Sequence, residues 1–136
     1  MTDRVRVIEH GIVLQDFSNV HTTEEGLALI AQAKTFMETQ PKGEVLVLTD
    51  ATGSIFNQQI SDAMKDLAQH HKQWVRASAL VGLTPLMRLA FRAVVSSLNR
   101  NIKALESRTA AVAYLLARRA SASGPSKAVD ASRQKP

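Results

Sequence analysis

The chain has 136 residues, of which 45% are hydrophobic, so it is the size of one domain with a substantial apolar core. The absence of cysteine excludes disulfides, thiolate zinc sites and cysteine nucleophiles, and it is typical of proteins in the reducing cytoplasm. The formal net charge is +5, and residues 76–119 concentrate it, with eight Lys or Arg against one acidic residue.

The basic second half is a surface of the kind that binds nucleic acid, anionic lipid or an acidic protein face. We instead expect the acidic first half to neutralise it within one fold. One Trp and one Tyr give few platforms for stacking bases, so nucleic acid is a disfavoured partner. No apolar run approaches the roughly 20 residues that span a bilayer. The first residues show no secretory pattern, so we predict a cytoplasmic protein without a transmembrane segment.

The chain begins with the pattern of a β-hairpin. Residues 4–8 alternate between polar and apolar, which is typical of an edge strand, and residues 12–17 are more apolar and predict a buried strand. His10 and Gly11 form the turn between them. Because the connection is short, we predict that the two strands are antiparallel.

The first helix and the central strand follow. Thr22 and Glu25 have the spacing of a capping box, which predicts a helix from residue 23 to about residue 39. Residues 45–49 are apolar on both faces apart from Thr49, so we predict a central strand with helices on both sides. Asn57 then caps a second helix that ends near His71.

The remaining elements repeat this alternation. Residues 75–81 predict a strand, Thr84 and Pro85 start a helix that runs to about residue 98, and residues 101–105 predict a last strand. Thr109 is predicted to cap a final helix that ends at about Arg118. The order β-β-α-β-α-β-α-β-α predicts an α/β fold with a mixed four- or five-stranded sheet flanked by helices. We assign residues 1–119 to this domain and 120–136 to a disordered basic tail.

Several segments together carry a family resemblance. They read LTDATG at 48–53, FN at 56–57, VRASALVGLT at 75–84, and a helix at 86–98 followed by NRNIKAL at 99–105. In this combination the chain resembles the SpoIIAA-like (STAS/SEC14-like) small bacterial proteins over about residues 4–117. The resemblance implies a mixed sheet flanked by helices. Relatives in the wider fold are anti-sigma-factor antagonists, which act by binding proteins, and lipid-binding SEC14-type domains.

The loop after the central strand is the first candidate site. It contains Asp50, Thr52, Ser54 and Asn57 at the start of a helix, where an anion is favoured. In the antagonists a serine after the corresponding strand is phosphorylated, and the resemblance therefore makes Thr52 and Ser54 candidates for phosphorylation and partner binding. The residues alone also fit an ordinary turn, in which the Asp50 carboxylate bonds nearby backbone N–H groups.

Carboxylates and histidines give weaker candidates. Asp16 and Asp50 end two buried strands, and if these strands are neighbours the carboxylates come close enough for acid–base work or Mg²⁺ binding. No third ligand or phosphate loop supports such a site, so we predict no catalytic residue and no cofactor. The four histidines lack the spacing of a zinc pair, so no metal site is predicted. His71 completes an apolar helical stripe and is interpreted as a residue at the edge of the core.

The third predicted helix has an unusually wide apolar surface. One stripe runs from Leu86 to Leu98, and Met87, Phe91 and Val95 form a second stripe beside it. The second stripe either widens the core, binds a partner or second copy, or contacts a lipid or other apolar ligand. Arg88 and Arg92 are then available to anionic head groups.

These patterns support three functional hypotheses. The first is a non-enzymatic regulatory or protein-interaction module of the STAS-like type, which binds a protein partner or forms a homodimer through the 50–57 loop and the second and third helices. The second is a carrier or sensor of a lipid or other small apolar ligand, held between the third helix and the sheet. The third is an enzyme centred on Asp16, Asp50 and Thr52.

Overall fold

The computed structural model describes residues 3–98 and 101–122, without the side chains of 93–98 and 121–122. In chain order, the elements are β1 (Val5–Val7), a 3₁₀ turn (Glu9–Gly11), β2 (Val13–Asp16), α1 (Thr23–Met37), β3 (Val45–Asp50), α2 (Gln58–His71), β4 (Val75–Val81), α3 (Pro85–Leu98), β5 (Ile102–Leu105) and α4 (Arg108–Ala122). The predicted α/β fold, with helices flanking a mixed sheet, is confirmed.

The sheet has five strands, and their spatial order β1-β2-β3-β4-β5 is also their order along the chain. β1 pairs antiparallel with β2, as predicted for the hairpin, and the other neighbours are parallel. His10 and Gly11 make the turn with positive φ angles of 63° and 72°. This left-handed backbone lets the chain reverse within three residues.

The two faces of the sheet are covered by different helices. Every residue of β3 is buried, because α1 packs on one face through Ile30 and Ala33 and α4 packs on the other through Ala111 and Leu115. Leu48 lies on the α4 face and is fully buried. Burial of one such side chain contributes roughly 2 kcal/mol to folding. The central position predicted for this strand follows from its apolar residues on both faces.

Side chains at the predicted N-caps start three of the helices. Thr22 accepts a hydrogen bond from the Glu25 amide at 3.1 Å, and Asn57 accepts one from the Ile60 amide at 2.9 Å. Thr84 caps α3 through the Met87 amide at 3.2 Å. Each bond satisfies a backbone donor that the first helical turn leaves without a partner.

The start and the end of the last helix differ from the prediction. The helix starts at Arg108, and the Ser107 hydroxyl accepts from the Ala110 amide at 3.1 Å, so the predicted cap at Thr109 is wrong. The strand ends at Leu105 as predicted, so the connection before the helix is two residues shorter than expected. The helix continues to Ala122, and residues 123–136 of the predicted tail lie outside the described residues. In the described part of the chain, no helix is long and apolar enough to cross a membrane.

Candidate functional site

The carboxyl edge of the sheet brings together the two predicted aspartates. Asp16 and Asp50 are register partners in adjacent parallel strands, so the predicted proximity is confirmed. Arg108 joins them: its Nε lies 2.8 Å from Asp50 Oδ2, and its Nη2 lies 3.6 Å from Asp16 Oδ1. Both carboxylates therefore share one guanidinium, which the sequence analysis missed because Arg108 lies 58 residues beyond Asp50.

Asp50 is held in its ionised form. Its Oδ1 accepts hydrogen bonds from the Thr52 amide at 2.9 Å and from the Thr52 hydroxyl at 2.6 Å, which is the turn geometry considered from the sequence. Burial by itself raises the pKa of Asp50, but the bonds from Thr52 and Arg108 and the charge of Arg108 bring it below its ordinary value of 3.8. A general acid needs a raised pKa, so this geometry favours a structural ion pair.

Ser54 fastens two loops to each other. Its hydroxyl donates to the Phe17 carbonyl and accepts from the Val20 amide at 3.3 Å, which ties the loop after β3 to the loop after β2. Thr52 is exposed, whereas Ser54 is only partly exposed. The Thr52 hydroxyl donates to Asp50 and the Ser54 hydroxyl donates to Phe17, so phosphorylation of either residue breaks a hydrogen bond at this edge of the sheet.

A cavity of about 160 Å³ lies between the sheet and helices α1, α2 and α3. The wall is mainly apolar, and its members on the strands and helices include Val47, Ile60, Leu67, Leu80, Met87 and Phe91. α3 contributes Met87, which is buried, and Phe91, which is partly buried. The cavity thus lies beneath the apolar helix that the sequence singled out.

Polar side chains form part of the cavity wall on the sheet side. Gln15 Nε2 donates to Thr49 Oγ1 at 2.8 Å, and Gln15 Oε1 lies 2.6 Å from His71 Nε2. All three residues are at most 4% exposed. The chain of bonds continues outward, because His71 Nδ1 lies 3.0 Å from His70 Nδ1, and His70 Nε2 lies 2.8 Å from Glu38 Oε2.

The chain of hydrogen bonds runs from Thr49 through Gln15, His71 and His70 to Glu38, and it links the buried wall of the cavity to the surface. The Gln15 amide bonds two buried partners at once, so a glutamine is accommodated inside a buried strand.

The other predicted site residues are divided between the cavity and the surface. Asn57 caps α2, Arg88 is partly exposed and Arg92 is exposed, while the side chain of Val95 lies outside the described residues. Leu86 and Leu89, on the first predicted stripe, are each 62% exposed. The predicted stripe of Met87 and Phe91 therefore turns toward the cavity, and part of the first stripe turns to solvent.

The polar part of the cavity was not predicted from the sequence. The signal for it was a polar residue inside each of two buried strands, Gln15 in β2 and Thr49 in β3, together with His71 on an apolar helical stripe. Such positions stay polar only where a partner satisfies their hydrogen bonds. The partner residues lie 34 and 56 positions apart in the chain, so the sequence alone did not connect them.

Across the described ranges, no three His, Asp or Glu side chains converge to form a metal site. The chain matches no model of a known protein family, no curated protein and no solved structure at a significant level. The resemblance to the SpoIIAA-like proteins therefore stays a prediction.

Proposed function

We propose that this protein binds a small apolar molecule in the cavity beneath α3, as a carrier or sensor of that molecule. The cavity itself is the observation that supports the proposal most directly. Protein cores are normally packed with few voids larger than a water molecule. An apolar cavity of about 150 Å³ stays dry and binds benzene in a protein engineered to contain one.

The cavity is partly open to solvent, so without a ligand its apolar wall contacts water. A ligand that covers this wall contributes about 25 cal/mol for each Å² of apolar surface removed from water. Because the ligand binds the folded chain, its binding also stabilises the fold.

We expect a non-denaturing mass spectrum of the protein, purified from its own cells, to show an added small-molecule mass. Ala90→Leu, which extends a side chain on α3 into the cavity, should abolish that mass, because the added carbons occupy the ligand's volume. Because the added carbons fill an existing space, the variant should be as stable as the original chain or more so.

Ala28→Leu is the matched control, because Ala28 is exposed on α1 and the same change there leaves the cavity open. A bare mass for the original chain, together with no binding of indole or benzene by NMR titration, contradicts the proposal. Retention of the ligand by Ala90→Leu contradicts it as well.

A second candidate function is the regulatory or protein-interaction module. The observation that favours it is the pair Leu86 and Leu89, which are both 62% exposed and lie three residues apart on one face of α3. Arg92 is exposed on the same helix. Apolar side chains grouped on an exposed helix face are a common feature of protein contact sites.

For this second candidate, we expect the double variant Leu86→Glu, Leu89→Glu to lose a co-purifying protein or a homodimer. The reason is that charges replace the apolar contact, while the exposed positions leave the fold intact. Co-purification from the native cells and the solution mass measure the effect. Lys65→Glu, on α2, is the control for a charge change elsewhere. If the double variant keeps the partners and the mass of the original chain, this candidate is wrong.

A further inference from the structure

The chain of hydrogen bonds between the surface and the cavity wall contains two histidines. At its outer end, Glu38 is exposed and the His70 side chain is 19% exposed. At its inner end, His71, Gln15 and Thr49 are all buried. From Glu38 inward the four links measure 2.8, 3.0, 2.6 and 2.8 Å, and each link needs one hydrogen. The position of each hydrogen therefore determines what the neighbouring group must donate or accept.

With both rings neutral, the four hydrogens have one arrangement that satisfies every link. A carboxylate only accepts, so His70 donates to Glu38 from Nε2 and its Nδ1 carries no hydrogen. His71 then donates to His70 from Nδ1 and accepts at Nε2. In this arrangement the Gln15 amide is turned so that its nitrogen donates to His71 and its oxygen accepts from the Thr49 hydroxyl. The amide nitrogen and oxygen are similar in size, so both orientations fit the same distances.

A proton added at His70 Nδ1 reverses this arrangement. The two Nδ1 atoms are 3.0 Å apart, so two N–H donors would then face each other. A buried donor without an acceptor costs about 1–3 kcal/mol. The conflict disappears when His71 carries its hydrogen at Nε2 instead and donates to the Gln15 oxygen, while the Gln15 nitrogen donates to Thr49. This is the amide orientation of the structure, with Gln15 Oε1 2.6 Å from His71 Nε2 and Gln15 Nε2 2.8 Å from Thr49 Oγ1.

The charged groups around the two rings favour the proton on His70. The Glu38 carboxylate is in direct contact with His70, at 2.8 Å. Asp66, one turn earlier on α2, also interacts with a charged His70, but its own ion-pair partner is Lys34. His71 is only 4% exposed, and burial disfavours a charge on its ring.

One cation opposes this protonation. The Trp74 ring stacks on His70 with 5.1 Å between the ring centroids, and the Lys42 ammonium lies 5.6 Å from the centroid of the Trp74 ring. Lys42 is thus a like charge near His70, whereas Glu38 is an opposite charge in contact with it. Histidine is the side chain that ordinarily changes charge between about pH 5 and pH 8, so protonation of His70 falls in a range that cells experience.

We propose that uptake of one proton at His70 reverses the hydrogen bonds from His70 to Thr49, so that the pH at the surface sets the orientation of the Gln15 amide in the cavity wall. His71 passes from one neutral tautomer to the other and remains uncharged. The inference does not rest on the proposed ligand-binding function, because the links of the chain join protein groups only.

The test is NMR of the full chain with isotope-labelled histidine nitrogens, which shows the nitrogen that carries hydrogen in each ring. We expect His71 to carry it at Nδ1 near pH 8 and at Nε2 near pH 5, the range over which histidine ordinarily titrates. The change in His71 should have the same midpoint as the protonation of His70. Amide spectra at each pH check that the chain stays folded.

Two variants test the origin of the change. Glu38→Gln removes the carboxylate beside His70, and we expect the midpoint of the His71 change to move to lower pH by about 0.5–1 unit. Glu24→Gln is the matched control, because Glu24 is exposed at the opposite end of α1. His70→Phe keeps a ring against Trp74 and removes the titrating group, so His71 should keep one tautomer at every pH.

Three results would overturn the inference. The first is a single tautomer of His71 in the original chain from pH 8 to pH 5, the range over which histidine ordinarily titrates. The second is a doubly protonated His71 ring in that range, which would put the charge inside the fold. The third is a change in His71 with an unaltered midpoint in Glu38→Gln. The proposed ligand-binding function is unaffected by any of these results, since it is tested by bound mass and by probe binding.

Discussion

Gly82→Ala is expected to lower the free energy of unfolding by about 3 kcal/mol, because the added methyl group has no space and the backbone conformation is unfavourable. Gly82 follows β4 and has a φ of +81°. A Cβ at this position would lie 2.2 Å from Thr52 Oγ1, 2.6 Å from the Thr52 amide nitrogen and 2.7 Å from its Cα. Two of these three atoms belong to the backbone, so a rotation of the Thr52 side chain cannot relieve the overlap.

The loop that contains Thr52 is poorly placed to yield. The Thr52 carbonyl accepts a hydrogen bond from the Asn19 amide at 2.8 Å, and the Thr52 amide donates one to the Asp50 carboxylate at 2.9 Å. Relief of the overlap therefore breaks bonds at the same edge of the sheet. We expect the overlap to contribute about 2 kcal/mol and the left-handed backbone about 1 kcal/mol.

Gly43→Ala separates these two effects. Gly43 has a similar φ of +77°, and an added Cβ there meets no atom within 4 Å. Only the conformational part remains, so we expect a loss of about 1 kcal/mol. Denaturant unfolding followed by the fluorescence of Trp74, the only Trp in the chain, measures both variants. Equal losses in the two variants would show that the close approach to Thr52 does not constrain the fold.

Arg108→Met is expected to lower the free energy of unfolding by about 2 kcal/mol at pH 7. The change removes the guanidinium from two carboxylates, and Asp50 is only 6% exposed. A fully buried pair broken in this way costs about 3–5 kcal/mol. The expected value here is smaller because the Arg108 side chain is 43% exposed and water screens part of its charge.

The effect of Arg108→Met should depend on pH in a defined direction. The folded-state pKa of Asp50 lies below its ordinary value of 3.8, so the stability it contributes is present above pH 3.8 and is lost as the pH falls through the lowered pKa. In Arg108→Met the pKa of Asp50 is higher than in the original chain, so protonation of Asp50 lowers the free energy of unfolding by less. The difference between the original chain and the variant should therefore narrow below about pH 4.

Lys34→Met provides a control with an exposed ion pair. Lys34 pairs with Asp66 between α1 and α2, and the Asp66 side chain is 65% exposed. Water screens exposed pairs of this kind, so we expect Lys34→Met to change the free energy of unfolding less than Arg108→Met does. Urea unfolding of both variants at pH 7 and pH 3 tests the argument. A constant difference between Arg108→Met and the original chain at both pH values would exclude Asp50 as its source.

The sequence predicted the elements of the fold because their signals are local. The caps at Thr22, Asn57 and Thr84 lie within three residues of the amides they bond. The central position of β3 follows from its apolar residues on both faces, and the hairpin follows from a short turn. Even the wrong cap at Thr109 lies only two residues from Ser107, the residue that caps the helix.

The candidate site was predicted only in part, because its contacts are not local. The wide apolar surface of the third helix was predicted from the sequence. Which of its two stripes meets the cavity depends on how the helix packs over the sheet. The Arg108 pair and the Gln15–His71 bond join residues 58 and 56 positions apart. A polar residue in a buried strand indicates that it has a partner but does not identify it.

The order of the strands has a consequence for how the chain folds during synthesis. Since spatial order and chain order coincide, each new strand pairs with the one made just before it, and the sheet grows by one strand at a time. The helix α4, in contrast, packs on strands that were made long before it. It emerges after all five strands and covers a face formed by Leu14, Leu46 and Leu48. Until it docks, that apolar face is open to water and to other chains. The final helix thus ends the interval in which the nascent protein is most prone to aggregate.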